Sequence, residues 1–326
     1  MKIALLVERP TQFDAPFFRH AARDSRHELR VLFTGAALSR PVFDPELGRA
    51  VGWGFDLLAG YPHAVAPDRG RVRWLAGELR RERYDLLITN GYTRADYLLA
   101  ATLARRAGAA TALRLDSVLW GASAARRRLK RGLFSCCLLR LYDLFLGVGS
   151  LTLEYLAACG VPAGRTGLFP YAVDVEHFRA ASRLSTEERS RQRARLDLPP
   201  AARAVLAVAK LTPREAPWDL LRALPHLPAD VHLLIAGDGL LRPELERLAA
   251  ELGGGGRVAF LGYVPYAELP SLYAAADLFV HPAQEERWGV SVAEALACGL
   301  PVVASSRVGA AQDLILAGGN GWRYPT

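Results

Sequence analysis

The chain has 326 residues, of which 51% are hydrophobic and 23% charged, with a formal net charge of +8. That length suits two domains, and that balance excludes bulk disorder. The cationic excess suits nucleic acid, an anionic membrane or phosphorylated ligands. The basic residues are dispersed, however, except from Arg126 to Arg131, and that run has no interleaved aromatics, which argues against nucleic acid.

The opening MKIALLVERP has one Lys before a short apolar run that ends at Glu8 and Arg9. It reads as a buried strand and not as a signal peptide. No stretch reaches the ~18 apolar residues of a membrane-spanning helix. The four cysteines, Cys136, Cys137, Cys159 and Cys298, have no CxxC spacing and read as buried cytosolic thiols. No His/Cys cluster has metal-ligand spacing. These features predict a cytoplasmic protein without a metal.

In the first half, strands are expected at 2–8, 28–35, 84–91, 111–117 and 144–150, with a helix at 16–26. Continuous apolar strands between helical segments imply a parallel sheet covered on both faces. Residues 36–70, rich in Gly, Pro and aromatics, carry no pattern that places them. A helix from Arg126 to Tyr142 is basic first and apolar later. It reads as a cover for the sheet, with peripheral docking on an anionic membrane as the alternative.

Residues 176–200 are polar, Arg-rich and end in Pro-Pro, so they read as a linker with some helix in it. The expected domains are 1–175 and 201–326. The second half repeats the pattern, with strands at 204–210, 231–237, 257–262, 278–282 and 301–305. Helices fall near 216–224, 242–252, 267–276 and 289–298. This is a doubly wound α/β arrangement, in which ligands sit beyond the carboxyl ends of the strands. Two such domains in tandem imply a cleft.

The most informative segment is EERWGVSVAEALACGLPVV, 285–303. Glu286 falls in a loop and Glu294 about a turn and a half into the next helix. Between them, Gly289 lets a ligand approach the backbone, and the N–H groups of the first helical turn are free to hold a phosphate. The two carboxylates then reach hydroxyls on either side of a diphosphate. His281 ends a strand nearby and reads as a packed residue.

This run resembles the EX7E signature of retaining GT-B glycosyltransferases of family GT4. GDG at 237–239, FLGYV at 260–264, YAAADLFVHPA at 273–283, GAAQDLI at 309–315 and GNGW at 319–322 follow the family's order. The resemblance is strong over 144–326 and loose before. It implies two Rossmann-like domains and transfer of a sugar from a nucleotide diphosphate sugar to an acceptor hydroxyl. Glu286 would bind the donor sugar and Glu294 the ribose. Gly289, Val290 and Ser291 would hold the diphosphate, and Gly262 to Val264 would lie near the base. Lys210 and Arg214 would stabilise the leaving diphosphate without a metal. The absence of DxD agrees with that, and no cofactor is expected beyond the co-substrate.

Thr11 and Gln12, after the first strand, and Asp116 are acceptor-side candidates, with a helix N-cap as the alternative for Asp116. The acceptor is a glycan, a lipid-linked sugar or a small molecule, with surface polysaccharide or glycolipid assembly as the expected setting. The chain departs from the family where Glu215 replaces a second lysine, so Arg214 is expected to take the cationic role with Glu215 pointing away, the alternative being weak activity. It also ends at Thr326, before the helices that similar enzymes add, which suggests a fragment or a shortened reading frame. Two other readings follow: a nucleotide-sugar-binding protein without turnover, or a GT-B-fold epimerase. Epimerases of that fold lack the EX7E run.

Overall fold

The computed structural model describes residues 1–35, 42–51, 56–121 and 123–326. Within the unplaced stretch 36–70, residues 36–41 and 52–55 lie outside the described residues. The chain divides into two compact units, one of residues 1–40 and 55–172, the other of residues 41–54 and 173–326.

In chain order the strands of the first half are β1 (Lys2–Val7), β2 (Glu28–Phe33), β3 (Val42–Asp44), β4 (Arg49–Val51), β5 (His63–Val65), β6 (Leu86–Asn90), β7 (Ala110–Leu115), β8 (Leu144–Gly147) and β9 (Thr166–Leu168). Strands β3 and β4 pair as an antiparallel hairpin that belongs to the second unit. The other seven form one parallel sheet in the order β5-β2-β1-β6-β7-β8-β9. Leu5, Leu6 and Val7 of β1 are almost fully buried. Adjacent side chains point to opposite faces, so both faces are covered, as continuous apolar runs require.

The covering helices of this unit are α1 (Ala15–Ala22), α2 (Arg71–Glu82), α3 (Ala95–Arg106), α4 (Ala124–Leu133), α5 (Leu139–Leu141) and α6 (Ser150–Ala158). The helix expected over 126–142 is interrupted by a π-type turn at Phe134–Leu138, which separates α4 from α5. Phe134 and Leu138 are buried there, whereas no residue of α4 is buried. Cys136 and Cys137, expected to be buried, are exposed, because they fall on the turn's outer side between those two apolar residues. The extra residue per turn keeps the apolar half facing the sheet.

One ion pair anchors this unit. Arg114, on β7, is 1% exposed and donates to Asp14 at 2.9 Å and to the carbonyls of Phe169 (3.1 Å) and Pro170 (2.9 Å). Its guanidinium stacks on the rings of Phe169 and Tyr171. Thr11 donates to the other oxygen of Asp14 at 2.9 Å.

The second unit contains β10 (Arg203–Val208), β11 (Val231–Ala236), β12 (Val258–Gly262), β13 (Leu278–His281), β14 (Val302–Ser305) and β15 (Gly321–Tyr324). They form a parallel sheet in the order β12-β11-β10-β13-β14-β15. Its helices are α7 (Val175–Ala181), α8 (Thr186–Arg195), α9 (Pro217–Ala223), α10 (Arg242–Glu251), α11 (Leu269–Ala275), α12 (Val290–Ala297) and α13 (Gly309–Leu314). Leu206, Leu221, Leu224, Leu234 and Phe279 are fully buried in its core.

The segment 176–200, read as a linker, is instead built into this unit. Ser185 and Glu188 form a reciprocal capping box that starts α8. From α8, Arg189 donates to the carbonyl of Ala274 and Arg193 to that of Ala275, at the end of α11, and both pair with Asp277. The arginines that made the segment look solvated satisfy the orphan carbonyls of a helix C-terminus.

Candidate functional site

In the second unit β10 and β13 are neighbours in space although two strands separate them in sequence. Connections from this point run outward in opposite directions, so the loops beyond their carboxyl ends part and leave room for a ligand. Lys210, Arg214 and Glu215 follow β10. His281 closes β13, Glu286 lies in the loop beyond it, and Gly289 precedes α12, which carries Glu294.

Backbone bonds fix these loops against each other. The N–H groups of Gln284 and Glu285 donate to the carbonyl of Arg214 at 2.8 and 3.3 Å. Glu286 N–H donates to Arg307 O at 3.0 Å, and Gly309 N–H returns to Glu286 O at 2.9 Å. The Oγ of Ser305 donates to Ala283 O and accepts from Arg307 N–H. The Glu286 carboxylate accepts from Trp288 N–H at 3.1 Å. Gly237 turns the chain beside this loop with φ +139°, and a Cβ there would lie 1.8 Å from Ala209 O. The GDG run thus reflects close backbone packing under Lys210.

The two expected cations are engaged inside the unit. Lys210 Nζ lies 2.7 Å from Asp44 and 2.7 Å from Glu46, and Arg214 lies 3.4 Å from Glu46. Both acids come from the β3–β4 hairpin, where Asp44 also accepts the N–H groups of Glu46 and Leu47. Burial opposes charge on both partners. The ion pairing outweighs it, holding Asp44 below and Lys210 above their ordinary values. The sequence pattern gave no sign of this hairpin.

Glu215 is 4% exposed and sits against Glu286, with one oxygen 3.5 Å from Arg214. Burial, then the Glu286 carboxylate, pushes its pKa up to about 8 against the pull of Arg214. Glu215 is therefore neither on the surface nor turned away from the site. His281 is 3% exposed, and burial lowers its pKa, which favours neutral imidazole. Ligand atoms of Glu215, His281 and Glu286 all lie within 4.8 Å of one another. The sequence reading found no cluster because Glu215, after β10, is far in sequence from His281 and Glu286, which share one short segment. His281, read there as a packed residue, belongs to this group.

Helix α12 starts at Val290 without a side-chain cap. Val292 N–H donates to Gly289 O at 3.1 Å, so it is the N–H groups of Val290 and Ser291, at the start of the first turn, that face a ligand or water. Gly289 has φ +89°, and a Cβ there would lie 2.8 Å from Val308, 3.3 Å from Glu286 and 3.4 Å from His281. Glycine lets the backbone turn next to the carboxylate. Glu294 is 4% exposed and accepts from Tyr273 Oη at 2.9 Å. Burial raises its pKa to about 7 despite that bond.

Gly262 ends β12 and accepts from Gly237 N–H at 2.7 Å, with Val264 half-buried just beyond it. They lie two strands away from β10, at the edge of the sheet. In the first unit, Thr11 and Gln12 follow β1, and Asp116 follows β7. Thr11 is committed to Asp14, so its hydroxyl orders the loop. The Oε1 of Gln12 is buried without a protein partner among the described residues. Asp116 accepts from Tyr171 Oη at 3.3 Å. No helix begins at Asp116 or Ser117, because α4 starts at Ala124 with Ser123 as its cap. The N-cap alternative is thereby corrected.

Residues 188–326 match the family model described as Glycosyl transferases group 1. That match takes in most of the second unit, including the loops beyond β10, β12 and β13 but not the β3–β4 hairpin. A D-inositol 3-phosphate glycosyltransferase of Mycolicibacterium gilvum is 44% identical over 124 residues, 36% of this chain and 28% of that protein. One of Mycobacterium bovis is 38% identical over 158 residues, 47% of this chain and 32% of that protein. The chain thus spans about a third of the length of these curated relatives. The crystal structure of HepE from Anabaena, in complex with UDP and glucose, superposes over 100% of this chain and 86% of its own, with a TM-score of 0.72 and 23% identity. The fold is that of such GT-B neighbours, with two parallel-sheet, Rossmann-like units.

Proposed function

We propose that this protein is a glycosyltransferase that moves a sugar from a nucleoside diphosphate sugar to an acceptor hydroxyl with retention, in the manner of family GT4. The observation that carries this reading is the convergence of Lys210, Arg214, Glu286, the α12 N-terminus and Glu294 beyond β10 and β13. These are a diphosphate-binding set with a carboxylate on each side. The family match covers the same residues, and HepE, a protein of the same fold, holds UDP. Lys210, Arg214 and the N–H groups near Gly289, Val290 and Ser291 stabilise charge that builds on the departing diphosphate. Glu286 orients the donor sugar. The departing phosphate takes the acceptor's proton on the same face, so no separate protein base is needed.

The test is incubation with a panel of UDP-, GDP- and ADP-sugars and hydroxyl acceptors, following nucleoside diphosphate release and the anomeric configuration by NMR. Release with an inverted product contradicts retention. Binding without release favours the non-catalytic reading, which the occupied cations Lys210 and Arg214 support. Glycan or glycolipid assembly and a cytoplasmic setting at the inner membrane face go with this proposal. Among the described residues no helix is long and apolar enough to cross a membrane. Helix α4 instead presents an Arg/Lys face with Leu129 and Leu133 exposed, a pattern that suits peripheral docking.

Glu294 gives the reading a pH signature. Its folded pKa of about 7 exceeds the ordinary glutamate value of 4.5, so between these values the folded protein holds a proton that the unfolded chain has lost. The resulting stability is full below 4.5 and is lost as pH rises through about 7. A ribose diol selects the ionised form. Nucleotide affinity therefore rises with pH through about 7 and is about tenfold weaker at pH 6 than at its plateau. Calorimetric titration from pH 5.5 to 8.5 checks this, and Glu294→Gln removes the dependence.

Asp44 and Glu46 hold the cations that the diphosphate needs. The double variant Asp44→Asn, Glu46→Gln is expected to bind nucleoside diphosphates about three- to tenfold more tightly, since half-exposed ion pairs of this kind contribute about 0.2–1 kcal/mol each. Equal or weaker binding shows that the hairpin does not compete.

A further inference from the structure

We propose that Glu215, His281 and Glu286 form a binding site for one divalent cation, of the Mn2+ or Zn2+ class, at the carboxyl ends of β10 and β13. Its role as a charge for the diphosphate rests on the functional reading above, while its existence rests on geometry alone.

The three groups offer one imidazole nitrogen and two carboxylate oxygens, all within 4.8 Å of one another. Two donors each about 2.1 Å from one ion lie roughly 3–4 Å apart, so side-chain rotation closes the set. The backbone frame is already rigid. The Arg214 carbonyl holds the Glu286 loop against the Glu215 turn, and His281 is the last residue of a central strand.

Among the described residues, two atoms of these groups, Glu215 Oε2 and His281 Nδ1, are buried without a hydrogen-bond partner, and both residues are more than nine-tenths buried. Buried polar atoms are almost always satisfied, so a carboxylate oxygen and an imidazole nitrogen orphaned together indicate a ligand. Arg214 reaches the other oxygen of Glu215, at 3.5 Å, and leaves Oε2 to the cluster.

Two carboxyl groups lie together here beside the Arg214 guanidinium, and a divalent ion that displaces the proton of Glu215 brings added positive charge to the site. A mixed nitrogen and oxygen donor set suits Mn2+ or Zn2+ better than Ca2+ or Mg2+, which favour all-oxygen sites. Three protein donors leave coordination positions for water or phosphate oxygens. Glu215 replaces a lysine of the resembling family, and an ion on its carboxylate returns positive charge to that place.

The test titrates the metal-stripped full chain with Mn2+ alone, reading free ion by electron paramagnetic resonance, with Zn2+ competition as a second arm. The expected result is one tight ion per chain, with affinity at least tenfold weaker in Glu215→Gln and in His281→Gln. Circular dichroism confirms that both variants are folded. If the wild type binds no ion, or both folded variants bind it equally well, the inference is overturned. A parallel titration with nucleoside diphosphate, with and without chelator, separates the two readings. Nucleotide bound undiminished by chelator, with no Mn2+ site, refutes the ion and keeps the donor site. Mn2+ bound with no nucleotide under either condition refutes the donor site and keeps the ion.

Discussion

Lys210→Ala is expected to lower kcat/KM for sugar transfer by about 10^2- to 10^3-fold, most of it in kcat. The leaving diphosphate gains negative charge as the glycosidic bond breaks. A fixed cation there is worth more in the transition state than in the ground state. Lys210 suits that role because its side chain is only a third exposed at the carboxyl end of β10, although Asp44 and Glu46, each at 2.7 Å, compete for its charge. The same position makes it a minor contributor to stability, so the variant should melt close to the wild type. Nucleoside diphosphate release, measured at saturating and limiting donor, separates kcat from KM. A loss below threefold places the leaving group elsewhere.

Asp14→Ala is expected to destabilise the first unit by about 3–5 kcal/mol, because it strands the Arg114 guanidinium in the core without a counter-charge. Arg114 keeps its bonds to the Phe169 and Pro170 carbonyls, which neutralise nothing. The double variant Asp14→Leu, Arg114→Met removes both charges and is expected to recover much of the loss, since a well-packed apolar pair often equals a buried ion pair. Urea denaturation of the two single variants and the double gives the coupling energy. A single-variant loss under about 1 kcal/mol shows the pair to be solvated.

Much of the fold was legible because its signal is local. Runs such as KIALLV and VHLLIA are buried on both faces and read as strands without further context. Strands β5, β9 and β15 were not expected, since three or four residues at a sheet margin carry too short a pattern. The segment 176–200 was misplaced because composition reports solvation, whereas Arg189 and Arg193 use their charge on the end of α11. The α8 capping box was readable from Ser185 and Glu188 and would have corrected the linker.

The site divides in the same way. Glu286, Gly289 and Glu294 lie in one continuous run, so their spacing was visible. Glu215 was seen only as a missing lysine. Its burial against Glu286 and His281 depends on the adjacency of β10 and β13, which sequence order hides. The β3–β4 hairpin that holds Lys210 comes from some 160 residues earlier, and no local pattern links the two.

The central claim is a nucleoside diphosphate site in the second unit, and calorimetric titration tests it most directly. UDP, GDP and ADP are titrated into the wild type, Lys210→Ala and Glu294→Gln at pH 8, with and without Mn2+. The account predicts that one nucleotide binds the wild type, and that each variant binds it at least tenfold more weakly. A nucleotide bound equally by all three proteins, or none bound by a folded wild type, contradicts it.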